Sequence, residues 1–284
     1  MGTTVECLLD VEASPAAHAA LRAIEIEFER LEAVFSRFRP DSELSELNRN
    51  GALVVGADLL RVTELALAAR ERTGGRFDPT IHEALVAAGY DRTFTAMELD
   101  GVAANGGPLQ RCGGGVTIDH RLSIVELEPG VRVDLGGIAK GYAVDRACEI
   151  LAGIGPCLVN AGGDLAVQGI RHQGSWHVGV DTAHGMITLG LDHGAIATSG
   201  RDQRRWQRSG EGRHHLIDPA TRRPSTSNLL RVTVVASQAV EAEILAKALL
   251  LAGEEEAVSE ANELRLPCLF VTEDGRDVWA GGLG

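Results

Sequence analysis

Past Cys157 this chain reads as a succession of short strands, and that succession constrains its fold more than any other feature. Residues 158–160, 165–169, 176–181, 187–191, 195–198, 230–236 and 268–272 are apolar runs separated by turn-forming residues. Only 240–252 interrupts them with a helical pattern. The first half differs. After an alternating strand over 4–11, with Val5, Cys7, Leu9 and Val11 on one face, the period changes at Pro15. Leu21, Ile24, Phe28, Leu31 and Phe35 fall three or four apart, which marks a long amphipathic helix. A second helix is expected over 58–72, stopped by Gly74-Gly75. Short strands are expected at 116–119, 122–127 and 131–135, after a glycine-rich loop over 105–115. Helices grouped early and strands grouped late predict an α+β fold of mostly antiparallel sheets with packed helices, not a βαβ repeat.

A formal charge of −13 argues against a nucleic-acid surface, which needs a net basic face. It leaves room for a small anion held by a few local donors. The five cysteines are odd in number and scattered, which suits reduced thiols better than a disulfide framework or a zinc site. No apolar run reaches transmembrane length, and the first ten residues lack the basic start and apolar core of a signal peptide. The expectation is a cytoplasmic protein, or a cell-envelope protein whose export signal lies outside this sequence.

The segment richest in chemistry is VDLGGIAKGYAVD, residues 133–145. It reads as a strand, a glycine turn and a helix start. Free backbone N–H groups at such a turn can hold an anion, and missing side chains let a phosphate approach. Lys140 would stand in the first helical turn, against the helix dipole, where an anionic ligand would explain it. Taken alone, the segment could also be a plain strand-to-helix connection.

DLGGIAKGYAVD resembles the signature of the ApbE family of FAD:protein FMN transferases. In the same order along the chain, MGT, FSRFRPDSELSELN, GGRFDPTI, LVNAGGDLAVQG, AIATSG and HLIDPATRRP resemble other blocks of that family. The resemblance implies one ApbE-like, T-fold-like domain over residues 1–284, in two intimate halves. It implies FAD as substrate, Mg2+ as cofactor, AMP as leaving group, and FMN passed through a phosphoester to a Ser or Thr of a target flavoprotein. By the same resemblance Met1, Phe38, Arg76, Phe77, Asp78, Asp134, Lys140 and Ile217 fall where the family contacts FAD. Asp134 and Lys140 are the expected catalytic pair. Phe38 replaces a tyrosine common at its position, and for Asp78 a turn role and a functional one both stay open.

Gly137 falls where a main-chain oxygen ligates the metal, and Glu243 and Lys247 stand where the family usually has Asp and Thr ligands. Three readings stay open there. Glu243 still ligates a cation; the two residues form an i,i+4 pair on an exposed helix; or the Lys247 ammonium stands where the cation would be. An arginine-dense stretch over 201–223, with Trp206 inside it, is either a local positive island or a solvated loop. Beside the transferase, two other functions fit the sequence: a flavin-nucleotide-binding protein with a degenerate metal site, and a pyrophosphatase that splits FAD into FMN and AMP.

Overall fold

In the computed structural model, residues 2–96, 100–101, 112–208 and 210–283 are described. The helices are α1 (Pro15–Phe35), α2 (Glu43–Asn50), α3 (Ala57–Arg72), α4 (His82–Ala87), α5 (Ala139–Leu151), α6 (Ala239–Ala252) and α7 (Glu254–Glu263). By contact density the chain falls into two units. The first comprises Met1–Gly2, Leu31–Gly137 and Arg201–Thr226; the second comprises Thr3–Arg30, Ile138–Gly200 and Ser227–Gly284.

The second unit is built on strands foreseen in the sequence, joined by one over Asp277–Ala280 that was not. Numbered along the chain, its seven-stranded sheet comprises β1 (Val5–Leu9), β2 (Cys157–Ala161), β3 (Asp164–Gln168), β4 (Gly194–Gly200), β5 (Leu229–Ala236), β6 (Cys268–Thr272) and β7 (Asp277–Ala280). Their order across the sheet is their order in the chain, and every neighbouring pair is antiparallel. The hairpin from β2 to β3 turns on Gly162 and Gly163, with φ of 65° and 95°. Two consecutive positive φ values are what a tight hairpin needs and what a side chain resists. Leu165, Val167, Ile196, Leu269 and Val271 pack with the hairpin of Trp176–Thr182 and Gly185–Leu191. Alternation turns Ala166, Ala195, Ala197 and Phe270 to the opposite face, and they too are buried. Helices α5 and α6 cover that face.

The first unit is more irregular. It holds α2, α3 and α4, and a three-stranded antiparallel sheet in which Ile124–Leu127 lies centrally between Ala52–Val54 and Val116–Asp119. A small apolar cluster joins Ala84, Leu85, Ala88, Tyr90, Trp206 and Ile217, with Phe38 packed against it.

Two local expectations need correction. Residues 131–135 form no strand, because Asn48 takes the place of a strand neighbour. Its amide donates to Val133 O at 2.8 Å and accepts from Val133 N at 2.7 Å. Residues 122–127 give a strand only from Ile124, since Ser123 has φ of 53° and belongs to the turn. Of the loop expected over 105–115, residues 105–111 lie outside the described residues.

Candidate functional site

Residues 133–145 fold as an extended stretch, a turn over 136–138, and then α5. Asp134 belongs to the first unit and Lys140 to the second. In the first unit Asp134 is a buried carboxylate. Its Oδ1 accepts from Gly136 N at 2.9 Å, closing the turn, and its Oδ2 meets Arg37 Nε at 2.7 Å. Both side chains are only 7% exposed, so the pair is almost entirely desolvated. The Arg37 guanidinium lies over the Phe38 ring at 4.1 Å and the Tyr90 ring at 4.6 Å. Phe38 meets Tyr90 edge-on at 5.6 Å between centroids, and Tyr90 also contacts Trp206 and His215. Nearby His82 is pushed down mainly by burial and then by the Arg37 charge, against the pull of Asp134 and Glu83, so its imidazole is neutral at pH 7.

In the second unit Lys140 extends from the first turn of α5 to two carboxylates. Its ammonium pairs with Asp164 of β3 and with Glu243 Oε1 of α6, the latter at 2.8 Å. Glu243 Oε2 accepts from Gly141 N at 2.9 Å, so both of its oxygens are engaged. Burial alone would raise the Glu243 carboxyl. The Lys140 and Lys247 ammonium groups and the two hydrogen bonds outweigh burial and hold it below the usual range. The bracing of these helices is reciprocal. Asp145 of α5 accepts from Ala239 N at 2.8 Å and Val240 N at 2.9 Å at the head of α6.

The other expected site residues are placed as follows. Ile217 is buried in the apolar cluster of the first unit. Arg76 Nε donates to Thr73 O at 3.1 Å, and Phe77, buried, donates its N–H to Thr73 Oγ1 at 3.0 Å. Asp78 Oδ1 closes its own turn, accepting from Thr80 N and Oγ1 at 2.8 and 2.7 Å, and Oδ2 ties that turn to the distant Gly113 N at 2.6 Å. That arrangement favours the turn role for its carboxylate. Gly137 lies in the turn of 136–138, and Met1 lies outside the described residues. Arginines of the 201–223 stretch are partly drawn inward: Arg201 is buried against Ser225 O, and Trp206 donates to Ala88 O at 3.0 Å.

The donors around Glu243 do not fit a divalent cation. Its carboxylate is already filled by Lys140 and Gly141, and the adjacent Lys247 brings positive charge. No cluster of three or more His, Cys, Asp or Glu side chains suited to a metal occurs among the described residues. Glu243 is also buried, which removes the reading of an exposed i,i+4 pair with Lys247. Sequence reasoning missed Asp164 and Arg37. Asp164 sits in the quoted block LVNAGGDLAVQG and Arg37 in FSRFRPDSELSELN, but neither position announces its distant partner.

A family model described as ApbE family matches residues 1–270. A Vibrio cholerae protein named FAD:protein FMN transferase is 30% identical over 279 residues, covering 89% of this chain and 81% of its own length. A Treponema pallidum protein of the same name is 28% identical over 288 residues, covering 91% and 78%. The solved structure of an ApbE protein from Thermotoga maritima aligns with a TM-score of 0.84 at 28% identity, covering 98% of this chain and 94% of that one. The flavin transferase ApbE from Vibrio cholerae aligns with a TM-score of 0.81 at 25% identity, covering 100% and 95%.

Proposed function

This chain belongs to the ApbE family, and we propose that it transfers FMN from FAD to a Ser or Thr of a target flavoprotein. The acceptor hydroxyl oxygen attacks the phosphorus on the FMN side of the pyrophosphate. The bond from that phosphorus to the bridging oxygen breaks, AMP leaves with the bridging oxygen, and the hydroxyl proton passes to solvent. The product is a phosphoester between FMN and the protein.

One observation carries this reading: the signature segment presents a lysine whose position is fixed from two sides. Asp164 and Glu243 hold the Lys140 ammonium, which has three N–H donors and spends two on them. The third is available to a phosphate oxygen without any reorganisation of the side chain. Positioning and charge neutralisation are most of what phosphoryl transfer asks of a protein. In the first unit the half-buried Phe38 places an aromatic ring beside the Arg37–Asp134 pair, with Tyr90 buried behind it, a setting that suits a flat heterocycle.

The test is mass spectrometry of a Thr-bearing acceptor peptide incubated with FAD and this protein. The expected result is a mass gain equal to FMN. Intact FAD, or free FMN and AMP with unmodified peptide, would overturn the reading, provided the Vibrio cholerae relative modifies the same peptide. Parallel reactions with Mg2+ and with EDTA test the donor argument at Glu243. Similar yields are expected; a strict Mg2+ requirement would mean that other groups hold the metal.

A further inference from the structure

Arg37 carries a feature that the transfer chemistry does not use. Its side chain is 7% exposed, and its Nη2 is buried with no hydrogen-bond partner among the described residues. A buried donor left unmet costs stability, and such groups are rare in folded proteins. Arg37 cannot readily relieve this by turning. Nε is anchored on Asp134 at 2.7 Å, and the guanidinium is held over Phe38 and Tyr90. Asp134 cannot readily serve Nη2 either, because its other oxygen closes the turn on Gly136 N. Among the described residues this donor is therefore left without an acceptor.

The charges indicate what it is aimed at. Arg37 and Asp134 neutralise one another, and a phosphate drawn to Arg37 would meet the Asp134 carboxylate in the same desolvated place. An uncharged acceptor meets no such repulsion. The surroundings are aromatic, with Phe38, Tyr90 and a neutral His82. We infer that Arg37 is a specificity-determining residue whose Nη2 donates to a carbonyl oxygen on the pyrimidine part of the flavin ring. This rests on the transferase reading and adds the group that tells the flavin end of the dinucleotide from the adenosine end.

Binding of FAD, riboflavin and ADP to the wild-type protein and to R37K tests it. Riboflavin has the ring carbonyls and no phosphate, whereas ADP has the phosphates and no flavin. Lysine keeps a cation for Asp134 but loses the second nitrogen, so the variant retains its buried pair. Flavin fluorescence and calorimetry should show FAD and riboflavin weakened by the same factor, about 10- to 100-fold, with ADP unchanged. Weakening of FAD and ADP with riboflavin unchanged would assign Arg37 to the phosphates and overturn the proposal. So would affinities within twofold for all three ligands.

A second measurement needs no variant. Riboflavin analogues with sulfur in place of one ring carbonyl oxygen are poorer acceptors, and one of the 2-thio and 4-thio forms should bind wild-type protein at least about tenfold more weakly than riboflavin. Equal binding of all three overturns the proposal even where R37K fails to fold. Wild-type protein that binds neither FAD nor riboflavin overturns the transferase reading as well, so the two failures are distinguishable.

Discussion

Arg37, buried in the first unit, and Lys140, half-buried in the second, are both cations set against buried carboxylates, yet they are satisfied to different degrees. Among the described residues Arg37 has one carboxylate, two aromatic faces and no partner for Nη2. Lys140 has two carboxylates, and one of these also braces the backbone of α5. The first arrangement keeps a directed donor in reserve, and its local charge is balanced. The second fixes an ammonium so firmly that it serves the packing of α5 and α6 as much as any ligand. The same element of chemistry, a cation on a buried carboxylate, is thus poised for recognition in one place and braced for position in the other.

The largest expected effect comes from removing Lys140. In Lys140→Met, Asp164 and Glu243 are left buried and facing each other, and loss of one partner from such a cluster typically costs ~3–5 kcal/mol. Urea unfolding at pH 7 measures it. The pH dependence has a definite sign. In the wild type Glu243 sits below its ordinary pKa of 4.5, so its contribution is present above that pH and is lost as pH falls through the lower folded value. Without Lys140 the leading charge that lowers it is gone while burial remains, and protonation becomes favourable. The variant's deficit should shrink between pH 7 and pH 5. A cost under about 1 kcal/mol, flat with pH, would remove the contrast with Arg37.

Gly141→Ala sharpens the same point from the backbone side. A Cβ at this position would stand 2.5 Å from Ala239 O and 2.6 Å from Val240 Cα, both main-chain atoms that cannot rotate away. Helices α5 and α6 would have to separate, and the hydrogen bond from Gly141 N to Glu243 would lengthen. Overpacking of this kind costs ~1–3 kcal/mol, read as a lowered midpoint in thermal unfolding. Because Lys140 shares Glu243, the variant should also lose transfer rate, whereas an equally destabilising change in the first unit's small sheet should spare it.

Much of the second unit was legible because its signals are local. Strand after strand announces itself by apolar runs between turns, and Gly162-Gly163 forms a tight hairpin turn. The first unit hid its elements. Helix α2 is only Glu43–Asn50, too short for a clear period, although Ser42 accepts from Ser45 N as its cap and Gly51 ends it with φ of 76°. Residues 131–135 read as a strand because their pattern is apolar, yet their partner is the side chain of Asn48, which no periodicity reveals. The sites divide the same way. Asp134 and Lys140 stand in one conspicuous motif, whereas Arg37, Asp164 and Glu243 take their roles from partners far away in sequence. By the resemblance Glu243 stands at a metal-ligand position, and its place on a helix does not reveal that Lys140 and Gly141 N engage its carboxylate.

The smallest expected effect separates the two carboxylates that brace α5 and α6. Asp145 accepts two N–H groups at the head of α6, which favours its charged form. Burial, with the charges of Glu149 and Glu243, outweighs them and raises it from 3.8 to about 6. A folded pKa above the unfolded one means that the protonated group favours folding. That contribution is fully present below about pH 3.8 and is lost as pH rises through about 6, the opposite sense to Glu243. Asp145→Asn replaces a titrating group by a neutral one, so the variant has no such slope. Its deficit in unfolding midpoint should be largest near pH 4 and should narrow as pH rises past 6. A deficit that instead widens toward pH 7 would mean that the two N–H bonds outweigh burial. The two braces would then behave alike, and Lys140 would not be needed to explain why Glu243 stays charged.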